Sequence, residues 1–194
     1  LSEEAAREEE AAELSGHATS DAGPKLNDPA PDFNLPDSAG GKKVQLSAFR
    51  GKTPVVLIFG SYSCPNFRSS AEALKKLQRD YGSRMPFLLV YIREAHANDN
   101  WQSTRNVRDG VTLAPAVTIQ DKENHALMCS RQLHLPFPAV VDGMDNAVEA
   151  AYNAWPSRAF VIGRDGRIQY STRLTELDFH PDEMESVLRK AAKQ

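Results

Sequence analysis

The apolar run Val55-Val56-Leu57-Ile58-Phe59 passes through Gly60-Ser61-Tyr62-Ser63 into Cys64-Pro65, and from there into a helical pattern. Five successive apolar residues flanked by turn formers read as a strand buried on both faces. Proline is favoured at the first helical position, where its missing N–H is no loss. Ala71, Leu74, Leu77 and Tyr81 then recur at helical spacing, so the pattern predicts a helix from Pro65 to Gly82. A strand feeding straight into a helix belongs to α/β folds. It also places Cys64 at a helix start, where unsatisfied backbone N–H groups and the positive end of the helix dipole favour thiolate over thiol. The competing reading of Cys64 is a small core hydrophobe, which has no need of such a junction.

The rest of the chain fits the same class. Ala30 to Pro36 reads as an edge strand, with a turn at Ser38-Ala39-Gly40-Gly41 before Val44-Gln45-Leu46. Phe87 to Ile92 is a second continuous apolar run and reads as a central strand. Asp121 to Leu135 is expected to be helical, Ala139 to Val141 a strand, and Asn146 to Trp155 a short helix. Ala159 to Ile162 and Arg167 to Tyr170 flank Gly163-Arg164-Asp165-Gly166 as a hairpin, and His180-Pro181-Asp182-Glu183 opens a last helix. The expected architecture is α/β, a thioredoxin-like mixed sheet flanked by helices. Residues 1 to 29 read as an acidic, helical or flexible arm and linker with almost no apolar face, and 30 to 194 as one domain.

Charge and cysteine content exclude several classes. A net charge of −3 gives no basic field for nucleic acid. Cys64 and Cys129 are the only two cysteines, too few for a disulfide scaffold. No apolar stretch approaches the ~20 residues of a membrane span. A soluble, cytoplasmic piece is the expectation, with any anchor preceding Leu1 out of view.

The chemistry centres on one thiol. Phe67 stands where a dithiol oxidoreductase carries its second cysteine, so Cys64 acts without a resolving neighbour. Ser61 and Ser63 are candidate hydrogen-bond donors to the sulfur or to a leaving group. Ser63 reads equally well as a helix cap, whereas Ser61 leaves the end of the strand toward the sulfur. Ligands gather at the carboxyl ends of strands in open α/β sheets, so Arg93-Glu94-Ala95-His96, after the second strand, should face Cys64. Glu94 and His96, two apart on an extended segment, would point the same way, the carboxylate orienting the imidazole for proton transfer. Cys129 follows Ala126 and precedes Leu133 at helical spacing, which favours core packing. Trp101, Trp155 and Phe179 are candidates to line an aromatic pocket, with core or rim the favoured alternative. No metal site is expected.

The two blocks Ile58 to Phe67 and Phe87 to Trp101 resemble the iodothyronine deiodinase family, in which selenocysteine occupies the place of Cys64. Asp142 to Asn146, the Ala151-Tyr152 step and Arg158 extend the resemblance, which covers roughly Ala30 to Lys190. It implies a thioredoxin-like fold, reductive removal of iodine from an aromatic ring, and no bound cofactor. A small aromatic halogenated substrate, an external thiol or thioredoxin-type reductant as co-substrate, and a homodimer are the implied partners. By resemblance, Cys64 is the nucleophile, Ser61 and Ser63 the flanking hydroxyls, and Glu94 and His96 the acid and histidine of the site. Arg158, Tyr62 and Trp101 are the substrate-binding candidates. The chain departs from the pattern at Tyr62, where many members carry a second cysteine, and at Phe137, about where another is expected; the family's internal recycling route then lacks its cysteines unless Cys129 substitutes, and helical spacing favours core packing for Cys129.

The implied mechanism is attack of the thiolate on ring-bound iodine, with His96 or water protonating the carbon and the thiol reductant discharging the sulfenyl iodide. Two other readings compete. Ser61-x-x-Cys64 with Arg158 echoes one-cysteine thiol peroxidases of the peroxiredoxin type, although Leu57 stands where their motif has proline. A non-catalytic redox-sensing module is the third.

Overall fold

The computed structural model describes Glu4, residues 23–172 and residues 180–193. The expected N-terminal arm and Phe179 lie outside these residues, apart from Glu4 and the stretch from Gly23. A short antiparallel hairpin, β1 (Asn34–Pro36) with β2 (Lys43–Gln45), precedes a five-stranded sheet. The sheet contains β3 (Val55–Gly60), β4 (Phe87–Tyr91), β5 (Ala139–Val141), β6 (Arg158–Ile162) and β7 (Ile168–Ser171). Their order across the sheet is β5-β4-β3-β6-β7. β3, β4 and β5 run parallel, while β6 adds antiparallel to the other side of β3 and β7 antiparallel to β6. Among the described residues, the α-helices after β2 are α1 (Pro65–Tyr81), α2 (Thr104–Asp109), α3 (Ile119–Gln132), α4 (Ala147–Tyr152) and α5 (Pro181–Ala191), with a 3-10 turn at Leu46–Phe49 before β3.

Alternation along the strands divides the core into two layers. Val56 and Ile58 of β3, with Phe87, Leu89 and Tyr91 of β4, pack with Leu74 and Leu77 of α1, Cys129 of α3 and Leu188 of α5. Val55, Leu57 and Phe59, with Leu88, Val90 and Ile92, face the opposite way onto Phe33, Leu35, Tyr152 and Phe160. Every residue of β3 and β4 is buried, which is why both read as uninterrupted apolar runs. Leu57 is wholly enclosed, so Leu57→Ala would cost ~2–5 kcal/mol.

Two glycines shape the elements that carry Cys64. A Cβ on Gly60 would lie 2.6 Å from the Phe67 ring, so β3 must end in glycine for the first turn of α1 to pack against it. Gly82 closes α1 as expected, but in a right-handed conformation, φ −63°. Its requirement is space, since a Cβ there would sit 2.5 Å from the Gln78 carbonyl oxygen.

Two features differ from the sequence reading. Helix α2 was not expected, because its six residues show no apolar period. The domain is also tied in ahead of Ala30: Asn27 N–H donates to the Ile168 carbonyl at 2.9 Å, and Ile168 N–H to the Asp28 carbonyl at 3.0 Å. Among the described residues, no helix is long and apolar enough to cross a membrane.

Candidate active site

The carboxyl ends of β3 and β4 lie side by side, with Gly60 opposite Tyr91. The two chain segments leaving them face each other as their positions required. Cys64 is the N-cap of α1, extended at φ −82° and ψ 110°, with Pro65 at the first helical position. Its side chain makes no capping hydrogen bond and is 1 % exposed. Neither cysteine is in a disulfide.

Glu94 is the hub. Its Oε2 accepts from Ser63 N–H at 3.0 Å and from Ser63 Oγ–H at 2.5 Å, and its Oε1 accepts from the Tyr91 hydroxyl. His125 Nδ1, from α3, lies 3.6 Å from Oε1. Burial pushes the Glu94 carboxyl up, but His125, Ser63 and Tyr91 together outweigh it and hold the group below its ordinary value. Burial first, and the Glu94 charge second, push the Tyr91 phenol well above its ordinary value. Tyr91 is therefore a fixed donor, and its oxygen accepts from Tyr62 N–H at 3.1 Å.

Both serines join the segments. Ser63 Oγ accepts from His96 N–H at 3.1 Å while donating to Glu94. Ser61 Oγ accepts from Ala95 N–H at 3.2 Å. Ser63 is thus not a side-chain cap of α1, because its hydroxyl is turned to Glu94 instead. Ser61, wholly buried, tethers the segment after β4.

The expected Glu94–His96 unit does not form. The imidazole that meets the carboxylate is that of His125, and His96 packs edge-on to Trp101 with ring centroids 4.9 Å apart. The reason is local: bends at Arg93, Ala95 and His96 break the two-residue alternation that would have aimed both side chains alike. Tyr62 is half-buried, with the Arg68 guanidinium 5.7 Å from its ring centre. Trp101 is half-buried against His96. Arg158 opens β6 opposite Phe59, at the same end of the sheet as Cys64. Its guanidinium lies over Phe160 at 4.8 Å and donates to the Thr172 and Tyr152 carbonyls, both at 3.1 Å.

The sequence reading missed Tyr91 and His125. Tyr91 carries the one polar handle in β4, which in a fully buried strand must find a partner. His125 shares a helical face with the buried Lys122, Ala126 and Cys129, and only the fold brings that face to Glu94. A cleft of about 260 Å³ opens onto this pair, lined also by Arg93, Asn100, Lys122 and Met144. Lys122 is buried there, its Nζ donating to the Gly143 carbonyl at 3.1 Å and to Asn146 Oδ1 at 3.0 Å. No cluster of His, Cys, Asp and Glu suited to a metal ion occurs among the described residues.

A thiol at a helix start, with a buried carboxylate facing it across a serine, matches the blocks that drew the family resemblance, and the model of the family described as iodothyronine deiodinase matches residues 20–192. The chain belongs to this family. Thyroxine 5-deiodinase of Gallus gallus is 34% identical over 146 residues, covering 75% of this chain and 55% of that protein. Type I iodothyronine deiodinase of Xenopus laevis is 30% identical over 164 residues, covering 83% and 62%. The chain thus spans a little over half the length of these two deiodinase relatives. Among solved structures, the thioredoxin domain of a thiol-disulfide oxidoreductase from Bacteroides vulgatus superposes with a TM-score of 0.60 at 14% identity, covering 86% of this chain and 98% of that one. The deiodinase-family chain accordingly has the thioredoxin-like fold.

Proposed function

We propose that this protein is a thiol-dependent reductive deiodinase in which Cys64 removes iodine from an iodinated aromatic ring. The observation that carries the reading is the Ser63–Glu94–His125 arrangement beside a thiol at a helix N-cap. Cys64 loses its proton, and the sulfur attacks iodine along the carbon–iodine bond. The carbon–iodine bond breaks with its electron pair left on carbon, and a sulfur–iodine bond forms. The ring carbon takes up one proton, so the thiol proton is all that this half-reaction consumes.

Glu94 suits the task of holding that proton between the two steps. Ser63 donates to Glu94 and keeps an oxygen lone pair for a neighbour, which orients the network to draw a proton inward from the thiol side. His125 stands on the far side of the carboxylate, where the cleft reaches solvent and can replenish or drain the proton. Tyr91 fixes the carboxylate without competing as an acid. An external thiol then attacks the sulfenyl iodide, releasing iodide and leaving a mixed disulfide. A second thiol equivalent cleaves that disulfide and restores Cys64. Arg158, Tyr62, Trp101 and His96 are proposed to line the approach of the substrate ring.

The test is to incubate the protein with iodothyronines, and separately with hydrogen peroxide, each with dithiothreitol, and to measure iodide and peroxide. Thiol-dependent iodide release supports the proposal. Peroxide consumption without iodide from any iodothyronine would replace it with a thiol peroxidase, and neither outcome with a binding or sensing module.

A further inference from the structure

Between the end of β3 and the start of α1 the chain makes a turn, residues 61–64, that belongs to no regular ladder. Its backbone carbonyls must therefore find partners elsewhere. The Tyr62 carbonyl accepts from Arg68 Nη1 at 2.9 Å, and the Ser63 carbonyl from Asn106 Nδ2 at 2.7 Å. Asn106 Oδ1 in turn accepts from the same Arg68 Nη1 at 2.8 Å, and Arg68 Nη2 pairs with Asp109 at 2.9 Å. Arg105, also from α2, donates to Asn66 Oδ1 at 2.9 Å and to the Pro65 carbonyl at 3.3 Å.

We propose that Asn106, supported by Arg68, is a positioning residue that sets the orientation of the Ser63–Cys64 peptide for the chemistry of Cys64. The proposal rests on Cys64 being the reactive thiol. Asn106 is wholly buried, and its amide is used at both ends with donor and acceptor in fixed places. Ser63 is consequently gripped from two sides. Its carbonyl is drawn to α2, while its N–H and hydroxyl are drawn to Glu94. A trans peptide unit points its C=O and N–H in opposite directions, so holding the Ser63 oxygen also aims the Cys64 N–H, which donates to the Ser61 carbonyl at 3.2 Å. The direction of the Cys64 side chain follows from that plane. Releasing the grip would rotate the peptide and misplace both the sulfur and the Ser63 hydroxyl relative to Glu94.

Asn106→Asp is the sharpest probe, because it keeps the acceptor for Arg68 and the side-chain volume while replacing the N–H that holds the Ser63 carbonyl with a second oxygen. Arg68→Lys, which keeps a charge near Asp109 but loses the planar fork, serves as the second variant. Three quantities are measured on the Cys129→Ser background: the alkylation rate of Cys64 by iodoacetamide across pH, kcat and KM for iodide release, and the thermal midpoint. Asn106→Asp should slow alkylation about tenfold and move the midpoint of its pH profile, with kcat falling in parallel and KM within about twofold. Arg68→Lys should shift the same readouts in the same direction by less. If both variants fold and only their thermal midpoints fall, with the alkylation rate and pH profile of Cys64 unchanged, Asn106 is merely structural and the proposal is overturned. Because alkylation needs no iodinated substrate, this arm decides the role of Asn106 even if the deiodinase reading fails through absence of iodide.

Discussion

Cys64 and Cys129 belong to the same buried cluster, 1 % and 0 % exposed, and neither is in a disulfide. Their backbones differ. Cys129 sits in the last turn of α3, where its own N–H is spent on the helix and the end of the dipole beside it is the negative one, which disfavours a thiolate. Burial first, and the Glu94 charge second, push its thiol far above the ordinary value, so it stays protonated. Cys64 stands at the N-cap of α1, beside N–H groups that the helix itself leaves open, and next to the serine that feeds Glu94. Burial therefore does not tell a working thiol from a packing one. The ends of secondary structure do.

The comparison breaks most readily at Cys64 itself. Cys64→Ser should lower iodide release on the order of 10³-fold or more, whereas Cys129→Ser should keep most of it per folded molecule. Equal loss in both would make a Cys64–Cys129 disulfide the better account.

Glu94→Gln comes next, with turnover down ~10²-fold, the range of a lost general base or acid. The neutral amide cannot accept from Ser63 and Tyr91 as the carboxylate does, and in a site this buried the fold should lose ~2–4 kcal/mol in a denaturant titration. The sign of the pH effect follows from the same network. The folded carboxyl lies below its ordinary 4.5, so its stabilisation is complete above that value and is lost as pH falls through the lower folded value. The wild type should destabilise on acidification below about pH 4.5, and Glu94→Gln should flatten that limb of the stability profile. An unchanged limb would assign acid sensitivity to other carboxylates.

A smaller loss is expected for His125→Asn, about tenfold in kcat, with a change in the shape of the pH–rate profile. A flat response would remove His125 from the proton route while leaving Glu94 in it. For Cys129→Ser the expected effect is on stability alone, ~1–3 kcal/mol from a hydroxyl placed in an apolar site, read by thermal melting. Smallest of all is truncation. Removing residues 1–22 should leave the thermal midpoint nearly unchanged, while removing 1–29 should lower it by breaking the Asn27 and Asp28 bonds to Ile168.

The strands and long helices were legible because each carries a local signal. β3 and β4 are unbroken apolar runs and α1 has its proline start, whereas α3 begins at Ile119, two residues before the expected Asp121, behind a capping box at Thr118 and Asp121 that apolar spacing does not show. Helix α2 has no such signal, since Thr104 to Asp109 holds a single apolar residue, Val107, which is exposed. What holds α2 is long-range, through Asn106 to Ser63 and Asp109 to Arg68, and no periodicity encodes it. The same limit applied at the site. Cys64, Ser61, Ser63 and Glu94 were readable from two strand ends, but the histidine facing Glu94 came from a helix 31 residues on, and spacing alone favoured His96.

The central claim is that Cys64 takes the iodine and an external thiol returns it to reactivity. A single-turnover measurement without reductant tests it most directly, by quantifying the deiodinated ring product and mapping oxidised cysteine by mass spectrometry. The expected result is no more than one product molecule per chain, with oxidation on the peptide that carries Cys64, and further turnover only after dithiothreitol is added. Product exceeding one equivalent without a thiol, or oxidation confined to Cys129, would contradict the claim.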